Sequence, residues 1–146
     1  MNDGGIVRNQ QTVAAAVTCS GVGLHSGQPA TITLRPAPPD TGVVFVNQKG
    51  DATTSLLASV EHCVPTELCT AINGNGLQVR TIEHVLSALS GLEVDNAYID
   101  VSGSEIPVMD GSAAPFVRSI RAVGVISQDR KQPFLKIMAP IEVSEG

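Results

Sequence analysis

The chain holds three histidines, and two of them directly follow a glutamate. Glu83-His84 lies in TIEHVLSALSGL (81–92) and Glu61-His62 in VEHCVPTELC (60–69). A carboxylate beside an imidazole is a minimal unit of hydrolytic metal chemistry. The imidazole can be one of the three protein ligands that a catalytic zinc takes while leaving a position for water. The carboxylate can then act as general base towards that water. The third histidine, His25, sits in GVGLHSG (21–27), a glycine-rich turn that lets backbone come close to a ligand. It reads equally well as a surface loop residue. Asp110, in MDGSAAPF, reads as a turn or cap residue ahead of a helix. No convincing third ligand follows, so these residues alone do not complete a hydrolytic metal site.

The elements around the two pairs set them apart. After Glu61-His62 comes Val64-Pro65, so no helix can continue there. His62 with Cys63 and Cys69 offers a C-x5-C spacing, which is not that of a zinc finger, and no second cysteine pair exists. Cys19, Cys63 and Cys69 read instead as small buried hydrophobes, and three cysteines make no disulfide framework, which fits a reducing, cytoplasmic setting. Glu83-His84 opens a helix from Thr81 to about Ser90, with Thr81 as its cap. Ile82, Val85, Leu86 and Leu89 recur at i, i+3, i+4 and i+7 and form its core stripe. At roughly 100° per residue, His84 then points about 200° away from Ile82, with Glu83 on the flank. His84 shares this outer face with Ser87, Ala88 and Gly91, small uncharged residues that suit a further layer of protein.

The remaining pattern places these residues in an α+β domain. Strands are expected at Gln11–Thr18, Ala30–Leu34, Val43–Val46 and Asp95–Ser102, and NGNG (73–76) signals a hairpin. RPAPPDTG (35–42) is a loop, because its prolines bar a central strand. A second helix starts near Ser112, carries Pro115 in its first turn, buries Phe116, Val117, Ile120 and Val123, and ends at Gly124. Two more strands are expected at Phe134–Met138 and Ile141–Val143. The expected architecture is a two-layer sandwich: one mostly antiparallel sheet with two helices on one face. Residues 1–10 are expected to be a flexible N-terminus, 11–130 the domain, and 131–146 the start of a second domain.

Composition narrows the function classes. The net charge of -5 argues against nucleic-acid binding. No apolar run reaches about 18 residues, so no transmembrane helix is expected, and MNDGGIVRNQQ lacks the apolar core of a secretory signal. Charged residues make up only 16% of the chain, which suggests that part of its surface is covered.

Three stretches, SGVGLHSGQPATITLRPAPPDTGVVF (20–45), TIEHVLSALSGLEVDN (81–96) and EIPVMDGSAAPFV (105–117), together resemble the UDP-3-O-acyl-N-acetylglucosamine deacetylases. These are zinc amidases of the committed step of lipid A synthesis. The resemblance runs from about Gln11 to the C-terminus and is weakest over 47–79. It implies the first of two similar α+β domains, packed against each other with the site between them. It implies that Glu83 is the general base and His84 one zinc ligand. The other two ligands, a His and an Asp, are expected in the second domain, as are the remaining catalytic groups and most of the acyl-chain passage. The GLH turn implies that Leu24 and His25 line the substrate site, and ELCT implies the same for Leu68 and Cys69. The implied reaction is hydrolysis of the 2-acetamido group of UDP-3-O-acyl-N-acetylglucosamine, with this chain inactive alone. A second reading, from another class, is a stand-alone non-catalytic domain that binds a protein partner through the outer face of helix 81–91.

Overall fold

A computed structural model describes residues 8–144. The chain forms ten strands and two α-helices in this span: β1 (Asn9–Val13), β2 (Val17–Val22), β3 (Pro29–Pro36), β4 (Val43–Lys49), β5 (Ala52–Leu57), β6 (Cys63–Val64), β7 (Ala71–Gly74), β8 (Leu77–Arg80), α1 (Glu83–Gly91), β9 (Ala97–Val101), α2 (Ala114–Val123) and β10 (Val125–Lys131). A 3-10 turn, Val60–His62, precedes β6.

The main sheet runs β2-β3-β9-β4-β5. All its pairs are antiparallel except β4 with β9. Alternation gives the sheet two faces. Cys19, Ile32, Leu34, Phe45, Leu56, Ala97, Ile99 and Val101 point into one core, with Val85, Ala88 and Leu89 of α1 and Phe116 and Ile120 of α2. The opposite face is polar. There Thr18 meets Thr33 at 2.9 Å, Ser20 meets Thr31 at 3.0 Å, and Arg35 grips Asp100 through two bonds of 2.5 and 2.7 Å. The expected two-layer α+β arrangement is therefore present, with both helices on one sheet face. Two smaller sheets are added to it: β1 with β10, and β6-β7-β8. Asn75 and Gly76 both have positive φ at the tip of the β7–β8 hairpin, the turn that NGNG signalled.

Several expectations are corrected. The single strand Gln11–Thr18 is two strands, β1 and β2, broken at Ala14–Ala16. Three alanines carry no turn signal; the pairing of β1 with β10 runs on to the bond from Ala14 N–H to Gly124 O at 2.9 Å, and from Val17 the chain pairs with β3 instead. Asn9 and Gln10 belong to β1, inside the stretch expected to be flexible, because Asp95 and Asn96 hold it. Arg8 bonds both Asp95 oxygens at 2.6 Å, and the Asn96 amide donates to Gln10 Oε1 at 2.8 Å. The rest of that stretch, residues 1–7, lies outside the described residues. The strands expected at Phe134–Met138 and Ile141–Val143 are absent; their apolar side chains are exposed, with Leu135 89% and Val143 88% accessible. A strand forms only when another strand pairs with it, and none is adjacent among the described residues. Of the three cysteines, only Cys19 is buried.

The faces of α1 are corrected as well. Ala88 is buried in the core, not on an outer strip, while Ser87 and Gly91 are exposed and His84 is half-buried. The helix packs against α2 in addition to facing the sheet, and this widens and rotates the buried stripe towards Val85 and Ala88. Thr81 does not cap α1. The residue before the helix is Ile82, with no side-chain cap, and Thr81 adopts φ 61.

Candidate functional site

The head of α1 is tied down from two sides, and each tie brings a different loop to it. On one side is the segment after β6. Ile82 N–H donates to Thr70 O at 3.3 Å, and Thr70 N–H donates to Glu83 Oε2 at 2.9 Å. This reciprocal pair closes residues 68–70 against the start of the helix. It brings Leu68 and Cys69 beside Glu83. Leu68 is in the left-handed region at φ 60 and is 91% accessible, so its side chain projects from the site without a core to enter. Cys69 is half-buried, and its carbonyl accepts from Thr66 Oγ1.

On the other side is the turn after β2. The buried carboxylate of Glu105 accepts from His25 N–H at 2.9 Å and from Ser26 N–H at 2.8 Å. The oxygen that takes His25 N–H also accepts from Thr81 Oγ1, at 3.0 Å. One atom therefore joins the Leu24-His25 turn to the residue two places before Glu83. Burial pushes the Glu105 carboxyl up, but the Ser26 side chain, the His25 and Ser26 amides and the Thr81 hydroxyl more than offset it, and its pKa falls to about 2. Leu24 and His25 are exposed at the turn. Hydrogen bonds thus tie both flanking segments to one short helix start: the Leu24-His25 turn through Glu105 and Thr81, and the Leu68-Cys69 segment through Thr70.

Glu83 has one oxygen occupied by Thr70, and Oε1 has no bonding partner among the described residues. The His84 imidazole also has none among them. Both side chains are half-buried on a rigid, well-packed helix. An imidazole free to give its lone pair, next to a carboxylate with one free oxygen, fits one metal ligand and one adjacent base. It is too small a donor set to hold a cation alone, and among the described residues no group of three or more His, Cys, Asp or Glu could hold a metal ion. Asp110 takes the role its sequence position suggested, accepting from the Ser112 N–H at 3.0 Å and hydroxyl at 2.7 Å ahead of α2.

Sequence reading missed Glu105 and Thr70. The available signal for Glu105 was an acid followed directly by Ile106-Pro107, in a stretch that buries all three. Thr70 acts through its backbone, which no side-chain pattern reports.

No helix among the described residues is long and apolar enough to cross a membrane. The family model described as UDP-3-O-acyl N-acetylglycosamine deacetylase matches residues 10–146. The chain is 46% identical over 137 residues to a UDP-3-O-acyl-N-acetylglucosamine deacetylase of Legionella pneumophila, covering 94% of this chain and 45% of that protein. It is 43% identical over 136 residues to the enzyme so named from Chromohalobacter salexigens, covering 93% and 45%. It is 42% identical over 137 residues to one from Xanthomonas campestris, covering 94% and 45%. The chain thus spans about half the length of the curated relatives it matches.

Proposed function

The chain belongs to the UDP-3-O-acyl N-acetylglycosamine deacetylase family, and from that premise we propose that it carries one half of a zinc-dependent amide hydrolase site. The substrate is UDP-3-O-acyl-N-acetylglucosamine, the bond cleaved is that of its 2-acetamido group, and the setting is lipid A synthesis in the cytoplasm. One observation carries the reading: among the described residues, Glu83 and His84 present a free carboxylate oxygen and an unpartnered imidazole at one helix start.

His84 would hold the metal. The chemistry that zinc supplies in such a site is polarisation of the amide carbonyl and acidification of water. Glu83 is the base. Its Oε2 is fixed by the Thr70 amide, which leaves Oε1 to take the proton as water attacks. Leu24 and His25 border the substrate from one side of the helix, and Leu68 and Cys69 from the other. The exposed Leu24 and Leu68 suit contact with apolar parts of the substrate or of the facing half. Acetate leaves, and a free amine remains on the sugar. A His and an Asp of the facing half would complete the zinc site, and a further group there would protonate the amine.

Calorimetric titration with zinc tests this reading. The chain alone is expected to bind zinc weakly and to release no acetate from UDP-3-O-acyl-N-acetylglucosamine. The chain fused to the C-terminal half of the Legionella pneumophila relative is expected to bind one zinc tightly and to release acetate. Tight stoichiometric zinc with amidase activity in the chain alone would overturn the divided site. Neither zinc nor activity in the fusion would favour a non-catalytic binding domain.

A further inference from the structure

The Glu105 carboxylate is nearly inaccessible, at 5%, and every hydrogen bond it makes goes to a segment bordering the site. Its own backbone is part of the same junction. Arg80 N–H donates to Ser104 O at 3.0 Å and Ile106 N–H to Arg80 O at 3.1 Å, so Glu105 is held beside the end of β8, directly before Thr81. Gly23 completes the arrangement. A Cβ at that position would lie 2.4 Å from Glu105 Oε2 and 2.8 Å from its Cδ, so the close approach requires glycine.

Thr81 shows why a carboxylate is needed. A β-branched residue at φ 61 is strained, and such a residue persists only where its surroundings over-determine it. Its hydroxyl bond to Glu105 is one determinant, and the Ile82 bond to Thr70 just after it is another. A neutral amide could not serve in place of the carboxylate. With its oxygen towards His25 and Thr81, its NH2 would face the Ser26 N–H, donor against donor.

We propose that Glu105 is a positioning residue, a buried clamp that sets the Leu24-His25 turn against the head of α1 and so fixes the width of the substrate opening between His25 and Glu83-His84. The part about substrate rests on the function proposed above; the clamp itself does not.

Amide hydrogen exchange in this chain tests the clamp without reference to activity. In Glu105→Gln, exchange at His25 and Ser26 is expected to rise roughly 10- to 100-fold, the range lost with charge-assisted bonds. Leu34 and Ile99, in the middle of the sheet, are expected to exchange as before. Gly23→Ala, which keeps the glutamate but crowds its carboxylate out of position, is expected to loosen the same two amides. Unchanged exchange at His25 and Ser26 in both variants, or a rise spread equally through the sheet, would overturn the clamp. In the fusion enzyme, Glu105→Gln is expected to raise KM about 10-fold while kcat changes less, a split that general loss of stability does not give. A loosened turn with KM and kcat both unchanged would overturn the positioning role. A wild-type fusion with no deacetylation would sink the proposed reaction and leave the exchange result to decide the clamp.

Discussion

The same dipeptide occurs twice in this chain, and the two copies are built in opposite ways. Glu61-His62 lies in a single 3-10 turn whose side-chain bonds are local. His62 Nδ1 donates to Leu57 O at 2.9 Å, five residues back, and the Glu61 carboxylate accepts from the hydroxyl of Ser59. The other edge of the His62 ring lies against Gly74, where an added Cβ would be 3.4 Å from its Cδ2. These side chains shape the turn they sit in. Glu83-His84 lies on a helix packed into the core. Its one bond to Thr70 spans 13 residues, and the His84 imidazole has no partner among the described residues. A group can serve a ligand when the fold holds its backbone by other means and leaves its polar atoms free. The first pair sits on an exposed three-residue turn that its own bonds shape, with only the Nε2 edge of its ring unbonded; the second sits on a helix packed into the core, with a wholly unbonded imidazole among the described residues.

The largest expected effect separates the two acids. In the fusion enzyme, Glu83→Gln should lower kcat by about 10²- to 10⁴-fold, the usual worth of a general base. Glu61→Gln should leave kcat/KM within about twofold, since surface changes away from such features are nearly neutral. Acetate release measures both. Equal losses would break the comparison. The next effect concerns pH. Glu105 has a folded-state pKa of about 2 against an ordinary 4.5. A depressed acid stabilises the fold above its unfolded value and loses that contribution as pH falls through the folded one. Up to about 3 kcal/mol should therefore vanish between about pH 4.5 and pH 2. Urea denaturation across that window should show a smaller decline in Glu105→Gln than in the wild-type chain.

How far these regions were legible in the sequence follows from the range of the forces that build them. Period-two alternation marked Ala97, Ile99 and Val101 because each needs only its own strand to show its face. Periodicity also marked α1, but it placed Ala88 outside, since one helix cannot announce that a second packs along it. Asn75-Gly76 was readable because its turn needs positive φ at both positions. The break at Ala14–Ala16 was not, because it lies where the chain leaves β10, more than a hundred residues away, for a different partner, β3. In the site, side-chain types pointed to Glu83 and His84. The ties that hold them run through the backbone of Thr70 and through Glu105, whose role appears only once β8 and the 104–106 segment lie side by side.

The rotated face of α1 gives a smaller effect with a clear sign. Ala88→Leu adds methylenes to a filled core and should cost about 1–3 kcal/mol in chemical denaturation. Ser87→Leu, one residue earlier and exposed, should change stability by less than about 0.5 kcal/mol. The reverse ranking would restore Ala88 to the outer strip and remove the second layer, α2, from the account of this helix.

The smallest effect is also the most direct test of the decoy. His62→Ala removes one neutral bond to Leu57 O and leaves an exposed turn able to take water in its place. The expected loss of stability is about 0.5–1.5 kcal/mol, read from thermal or urea unfolding. Zinc stoichiometry and kcat/KM in the fusion should be unchanged, because His62 lies on the 3-10 turn ahead of β6 and all its side-chain hydrogen bonds stay with that turn and the residues leading into it, with none to the start of α1. His84→Ala should behave in the opposite sense: little change in stability, since no described residue bonds its ring, and loss of tight zinc binding. If His62→Ala instead removed zinc, the metal site would include the 3-10 turn, and the division of the two pairs into one that shapes a turn and one that serves a ligand would fail.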